Sequence, residues 1–411
     1  MDAELIAVGS ELLEPGFRDT NSAWLSERLL RAGATVRQVT LVGDDAGRIA
    51  DLVARSLDRA DVLLLTGGLG PTADDRTREG VARALGVALE LDDAAAAAIL
   101  AFLRGRGREA TPEQLAQALR PSGSRTLRNP VGTAPGLLAE REGRLVAALP
   151  GVPAEMRGMF LESVEPILLA RRGRAVRRRI LKIAGRTESS VDAQVRDLYR
   201  AEGAEVTILA KSSGIQLVLR VEGRDDAEAA SRLEALDRAF AARLGPDLYG
   251  RDDESLASVV GRALAAAGQT VATAESCTAG LLSAALTAIP GSSEWFRGGI
   301  VAYANDLKST LAGVREGTLS SRGAVSEETA EELAQGARGR CAATWGLGVT
   351  GIAGPGGGTD AKPVGLVWLG VAGPRGSRAT RHRLGGDRDL VRARSVTLAL
   401  DLLRREMRDR G

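Results

Sequence analysis

Over its first 170 residues the chain alternates short apolar runs with amphipathic stretches. Glu4–Val8, Thr35–Val42 and Val62–Thr66 read as strands, and the near-continuous apolarity of Val62–Thr66 is that of a strand buried on both faces. Ser22–Ala32, Gly47–Ala60 and Arg76–Leu85 carry helical periodicity, with Gly33 and Gly86 placed to end the first and the last. Asp93–Arg104 adds an alanine-rich helix and Leu145–Leu149 a further strand. This βαβαβ rhythm predicts a parallel sheet with right-handed crossovers.

Arg171–Lys182 changes the pattern to a basic run. Strand-like Arg179–Ile183, helical Ser190–Ala201, strand-like Glu205–Ala210 and Ile215–Val221, and a long helix over Asp226–Leu244 predict a small α+β module. Gly250–Asp253 reads as a linker, and Glu254–Ala267 opens a third segment with an amphipathic helix. There the apolar run Thr270–Thr273 empties into Ala274-Glu275-Ser276-Cys277-Thr278-Ala279-Gly280, followed by a small-residue helix over Leu281–Ile289. The expected organisation is α/β and multidomain: 1–170, 171–250 and 251–411.

Composition narrows the function classes. An apolar fraction of 44% suits a soluble protein with large cores, and 50 glycines with only 3% aromatics favour tight turns and nucleotide-type sites over base stacking. A net charge of +2 supplies no global field for nucleic acid or a membrane surface. No apolar run approaches the ~18 residues of a membrane span, and Met1–Gly9 lacks the basic start of a signal peptide. Cys277 and Cys341 cannot build a disulfide framework, so a cytoplasmic setting is expected. Of the 55 basic residues only Lys182, Lys211, Lys308 and Lys362 are lysines, so a retained lysine points to a position needing a titratable or compact cation.

Two constellations carry chemistry. In the first, Thr66-Gly67-Gly68-Leu69-Gly70-Pro71-Thr72-Ala73-Asp74-Asp75 joins a buried strand to a helix. Gly67, Gly68 and Gly70 let the backbone curl into a nest for phosphate oxygens. The run is neither a Walker A motif nor a dinucleotide fingerprint. Asp74 and Asp75 would repel bare phosphate, which leaves divalent-metal ligation or helix capping. Loops containing Asp44, Asn21, Asn129 and Thr133, with Gly9–Glu11 and Pro150–Pro153, are candidates to face the same crevice.

The second constellation centres on Ala274–Gly280. A strand that empties into a turn of small polar residues and then a helix is a standard place for chemistry, and a nucleophilic site there needs a base and an oxyanion stabiliser. His382 is the single histidine and lies in Arg381-His382-Arg383 away from any motif, so a Ser-His-Asp triad finds no support. A serine activated by a neutral lysine remains, with Ser276 and Lys308 in those roles and Tyr303, five positions earlier on the same element, as relay. Cys277 is a rival nucleophile and Thr278 a rival or a helix cap. Backbone N–H groups of the turn would form the oxyanion hole.

Gly67-Gly68-Leu69-Gly70-Pro71-Thr72-x-Asp74-Asp75, Asn129–Gly136 and Leu149-Pro150-Gly151-Val152-Pro153 resemble the molybdopterin-binding-like domain of the CinA (competence/damage-inducible) family. Glu275–Thr278, Tyr303–Lys308, Gly351–Gly358, Lys362–Gly365 and Gly386–Arg388 resemble the family's nicotinamide mononucleotide deamidase domain, so the likeness covers nearly the whole chain. The resemblance implies an ADP-ribose pyrophosphatase using divalent metal (Mg, Mn or Co) in the first domain. Asp44, Asp74 and Asp75 are its metal candidates, and Gly67, Gly68, Gly70, Asn21, Asn129 and Thr133 its substrate contacts. It implies a cofactor-free deamidase in the third domain, with Ser276, Lys308 and Tyr303 catalytic. Glu275, Thr278, Gly351, Gly354, Gly357, Lys362, Arg388 and Arg392 would bind its substrate. A K-homology-type linker and a homodimer are also implied. The loop Glu14–Asp19 departs from the family's usual Gly-Gln-Ile-Val-Asn run, while Thr20 and Asn21 are kept. The middle module has no Gly-x-x-Gly loop and no aromatic on its strands, which argues against nucleic acid. Two other readings stay open: a competence- or recombination-linked scaffold with vestigial pockets, and a molybdopterin-processing first domain.

Overall fold

A computed structural model describes residues 1–200 and 204–408. The chain divides into two compact units, Met1–Arg177 with Val221–Arg232, and Arg178–Arg220 with Leu233–Gly411.

The first unit is an α/β layer structure. Its opening elements are β1 (Asp2–Val8), α1 (Asn21–Arg31), β2 (Thr35–Val42), α2 (Ala46–Leu57), β3 (Val62–Thr66) and α3 (Thr77–Leu85). Next come β4 (Leu89–Leu91), α4 (Asp93–Arg104), α5 (Pro112–Ala116) and β5 (Leu119–Pro121). The unit continues with β6 (Arg125–Leu127), β7 (Gly136–Arg141), β8 (Arg144–Leu149), α6 (Pro153–Met159) and α7 (Glu165–Arg171). The main sheet runs β2-β1-β3-β8-β7-β6. β1, β2, β3 and β8 are mutually parallel, as the alternating pattern predicts, whereas at one side β7 pairs antiparallel with β8 and β6 antiparallel with β7. β3 is buried at every position because helices cover both faces of the sheet. Parallel pairing puts the carboxyl ends of β1, β3 and β8 on one edge, where α/β sheets hold ligands.

The second half adds β9 (Ala175–Ile183), α8 (Glu188–Val195), β10 (Ala204–Lys211), β11 (Gly214–Gly223), α9 (Asp226–Leu244) and β12 (Leu248–Arg251). These strands form a sheet of order β10-β11-β9-β12. The expected linker at Gly250–Asp253 is partly strand, because Leu248–Arg251 pairs antiparallel with Ile183–Leu181 of β9. α8 ends at Val195 and passes into a 3-10 turn, short of the predicted helix end, and Ala201 lies outside the described residues.

The remaining elements are α10 (Leu256–Ala266), β13 (Val271–Glu275), α11 (Leu281–Thr287), β14 (Phe296–Val301) and α12 (Asn305–Thr310). They are followed by α13 (Glu316–Ser321), α14 (Glu327–Arg340), β15 (Trp345–Gly351), β16 (Leu366–Gly373), β17 (Gly376–Arg383) and α15 (Arg388–Arg408). The sheet runs β14-β13-β15-β16-β17, parallel over its first three strands and antiparallel beyond. The carboxyl ends of β13, β14 and β15 therefore open on one edge, bringing the turn after Glu275, Tyr303 and the loop after Gly351 to the same side. No described helix is long and apolar enough to cross a membrane.

Candidate active sites

At the amino-terminal sheet edge a crevice of about 490 Å³ is lined by Gly67, Gly68 and Gly70, by Asp44, Asp74 and Asp75, and by Thr133. Glu11, Gln117 and Glu155 also reach it. Gly67 has φ +100°, and a Cβ there would lie 2.0 Å from the Val8 carbonyl oxygen, so only glycine lets the loop pass over β1. Asp75 is committed to the loop: its carboxylate accepts from Gly70 N (2.7 Å), Thr72 N (2.8 Å) and Thr72 Oγ1 (2.5 Å). Asp44 accepts from Ser10 N at 2.7 Å through one oxygen. The hydrogen bond from Thr72 is the main cause holding exposed Asp74 below the usual carboxylate range. Among the described residues no group of three His, Cys, Asp or Glu is clustered to hold a metal by itself.

Asn21 and Asn129 do internal work in this frame. Asn21 Nδ2 donates to Thr66 Oγ1 (3.1 Å) and to the Gly151 carbonyl (2.7 Å), joining the ends of β3 and β8. Asn129 donates to the Ala134 carbonyl and Glu155, and accepts from Val131 N and Gly132 N, which shapes the loop bearing Thr133. The sequence reading missed Arg78. Buried on α3, it donates to the Leu69 carbonyl (2.9 Å) and the Pro135 carbonyl (3.1 Å), pinning the glycine loop to the Asn129–Gly136 loop. Burial lowers its guanidinium to about 10. The signal was available, since Arg78 shares the inward face of α3 with Val81, Ala82 and Leu85.

In the carboxy-terminal unit, Glu275 is the fully buried last residue of β13. One carboxylate oxygen accepts from Gly280 N (3.0 Å) and Leu282 N (3.0 Å), and the other from Ser283 N (2.8 Å) and Ser283 Oγ (2.7 Å). The N-terminus of α11 is thus already filled by the protein's own carboxylate, and Glu275 shapes the turn. The turn itself closes with Ser276 N to the Val349 carbonyl (2.9 Å) and Ala279 N to the Ser276 carbonyl (3.1 Å). Ala279 takes φ +48°, a left-handed conformation uncommon outside glycine.

Lys308 is 2% exposed, its Nζ donating to the Tyr303 carbonyl at 2.9 Å. Burial lowers its pKa, with Cys277 and Asp306 pulling it back. Burial pushes the Cys277 thiol up to about 11, against the opposing pull of the Cys277 and Thr278 N–H groups. Thr278 is fully buried with no partner for Oγ1. Tyr303 lies in the loop after β14, not on the helix of Lys308, and is more than half exposed.

The first turns of α15 close the site. Arg388 donates to the Gly354 carbonyl (2.7 Å) and the Tyr303 hydroxyl (3.1 Å). Arg392 donates to the Cys277 carbonyl (3.2 Å) and the Thr278 carbonyl (3.1 Å), with Asp389 at 3.8 Å. Gly351 ends β15, and Gly354 and Gly357 take positive φ in the loop beyond it. Lys362 donates to the Arg322 carbonyl at 2.7 Å, bracing the segment ahead of α14. His382 sits on β17, its Nε2 paired with Thr380 Oγ1 at 3.0 Å.

Fold and sites define a multidomain α/β protein with a molybdopterin-binding-like domain, a K-homology-like module and a third α/β domain carrying its own glycine-rich edge. Residues 4–170 match the MoCF_biosynth molybdopterin binding domain, 178–250 the damage-inducible protein CinA KH domain, and 253–407 the CinA C-terminal domain. A CinA-like protein of Frankia casuarinae is 44% identical over 98% of this chain and 96% of its own length. Another from Acidobacterium capsulatum is 43% identical over 99% of this chain and 100% of its own. The solved competence/damage inducible protein CihA of Agrobacterium tumefaciens is 43% identical over 36% of this chain and 92% of that one, with a TM-score of 0.36. The chain belongs to the CinA family.

Proposed function

We propose that the carboxy-terminal site hydrolyses the amide of nicotinamide mononucleotide to nicotinate mononucleotide and ammonia. The observation that carries this reading is Lys308, an almost fully buried amine held by the Tyr303 carbonyl, on the loop tied to the end of β13 by Ala302 N to the Glu275 carbonyl (2.9 Å), in a chain with only four lysines. Burial favours the neutral amine, which can donate to the Tyr303 carbonyl and still offer a lone pair. In this reading Ser276 Oγ attacks the amide carbon as Lys308 takes its proton. The Cys277 and Thr278 N–H groups hold the oxyanion. Lys308 then passes the proton to the departing nitrogen, and water releases the acid by the reverse sequence. Arg388 and the Gly354 loop supply phosphate recognition. Cys277 is the weaker nucleophile because its raised pKa keeps it a thiol. Purified chain should release ammonia from the substrate without added metal. Ser276→Ala should lose at least about a thousandfold, and Cys277→Ala should stay within a few fold. The opposite ranking would move the nucleophile to Cys277, and no release by the native chain would end the proposal.

The amino-terminal crevice we read as an ADP-ribose pyrophosphatase site, supported by the Gly67–Gly70 nest facing carboxylates across one cleft. A divalent cation entering with a pyrophosphate needs only one or two protein carboxylates. Asp74 and Asp44 retain oxygens for it, whereas both Asp75 oxygens serve the loop. When bound, the cation would neutralise phosphate charge; with Gly67 N given to the Leu149 carbonyl and Gly70 N to Asp75, the oxygens would be oriented by the remaining N–H groups of a loop that Arg78 keeps rigid. AMP release from ADP-ribose that requires divalent metal and is lost in Asp74→Asn is the expected result.

A further inference from the structure

A larger cavity lies in the second unit, and none of Ser276, Lys308, Arg388 and Arg392 lines it. Its volume is about 810 Å³, and it is walled by the Gly185–Glu188 turn, the β10–β11 hairpin, β17 and one face of α15. Its charges do not balance. Asp247 is held by Arg186 and by Arg405 (2.8 Å), and Asp401 by Arg405 (2.8 Å) and Arg404 (2.6 Å). Arg378 is held by Glu406. That leaves Lys211, Arg383 and Arg394 on the lining with no carboxylate partner among the described residues, against Glu188 alone as an unpaired acid. Arg394 reaches only the Gly385 carbonyl, at 2.7 Å. About half of the arginines elsewhere pair with a carboxylate; what is particular here is that Lys211, Arg383 and Arg394 border one concavity with only Glu188 against them. Ile215, Leu384, Leu398 and Leu402 give the cavity an apolar side, and His382 and Thr397 offer polar groups to a ligand.

We propose that this cavity is a third small-molecule site, binding a phosphorylated ligand of nucleoside monophosphate size. A phosphate monoester carries about two negative charges, which two or three compact or forked cations match. The volume lies within the roughly 300–1,000 Å³ of small-ligand pockets. The mixed wall suits a phosphate at one end and an apolar ring at the other. A single-stranded nucleic acid would instead need an open groove with aromatic platforms, and no aromatic lines this cavity. The site is read out through α15, since the helix that presents Arg394 and Thr397 here carries Arg388 and Arg392 at the amide site.

The test is hydrogen exchange on the full chain with AMP, adenosine or a short single-stranded oligonucleotide. AMP should slow exchange in 210–215 and 394–398, and adenosine should not. Lys211→Glu combined with Arg383→Glu should abolish that protection and weaken the corresponding calorimetric binding by more than about tenfold. Both side chains are exposed, so the fold should persist, as checked by its thermal unfolding. Absence of AMP protection in these segments, equal protection by adenosine, or protection by the oligonucleotide alone would overturn the proposal. None of these outcomes bears on deamidation, because neither substituted residue belongs to that site.

Discussion

Glu275→Gln tests whether the serine turn is held by one buried carboxylate. Glu275 accepts four hydrogen bonds, two on each oxygen. A glutamine keeps one acceptor oxygen and must turn its NH₂ somewhere. Facing Gly280 and Leu282 it would meet two N–H donors. Facing Ser283 it meets one N–H, but Ser283 Oγ can rotate to accept, helped by Thr273 Oγ1 at 2.7 Å. The second orientation is therefore preferred. It forfeits two hydrogen bonds to a charged acceptor, about 1.5–3 kcal/mol each, and regains one neutral bond of about 1 kcal/mol. The net cost is about 2–5 kcal/mol. At about 2–4 °C per kcal/mol for a unit of this size, the unfolding transition of the second unit should fall by roughly 4–20 °C. Differential scanning calorimetry separates this from the first unit, whose transition should not move. Glu275→Ala, which takes the acceptor from all three backbone N–H groups and leaves Ser283 Oγ only Thr273 Oγ1, should cost more. A transition unchanged within about 1 °C, with activity nonetheless lost, would refute the reasoning and return Glu275 to the chemistry.

Lys308→Met should abolish deamidation by at least about a thousandfold while leaving thermal stability nearly unchanged. The lost bond to Tyr303 is offset by removing a buried ammonium. In the native enzyme the rate should rise with pH to a plateau, with a midpoint below the 10.5 of free lysine. The linkage sign agrees: the folded state gives up the Lys308 proton before the unfolded state does, so stability also rises with pH across that interval. A rate that falls over this range would count against a lysine base. In the amino-terminal crevice, Gly67→Ala forces a Cβ onto the Val8 carbonyl and should eliminate metal-dependent AMP release. Ammonia release should persist in the same protein, and joint loss of both activities would show that the variant had unfolded more widely.

The parallel core of each half was readable because a strand buried on both faces leaves a distinctive apolar run, as at Val62–Leu65. Strands with mixed faces were harder. β14, with glycines and an arginine along an edge, has half its positions exposed and carries little periodicity. Gly250–Asp253 looked like a linker because Gly-Arg-Asp-Asp is turn chemistry, yet its first two residues belong to Leu248–Arg251, whose pairing with β9 overrides local preference. The site residues were legible as types and not as roles. Glu275 and Asn129 stand in the motifs beside reactive groups, but hydrogen bonds consume both, and sequence spacing does not say where a side chain points. Arg78 was overlooked because an arginine is ordinarily solvated, and only the helical face it occupies betrays its burial.

The four lysines have a consequence for covalent chemistry. Lys182, Lys308 and Lys362 each donate to a main-chain carbonyl, of Glu254, Tyr303 and Arg322, and none is exposed. Lys211 alone among them is exposed, without a hydrogen-bond or ion-pair partner among the described residues. An acylating reagent at mild pH therefore meets, among the side chains, a surface with a single ready amine, at the tip of one hairpin. A fluorophore or cross-linker placed there would report on the cavity beside it, in a protein whose abundant positive charge is otherwise inert guanidinium.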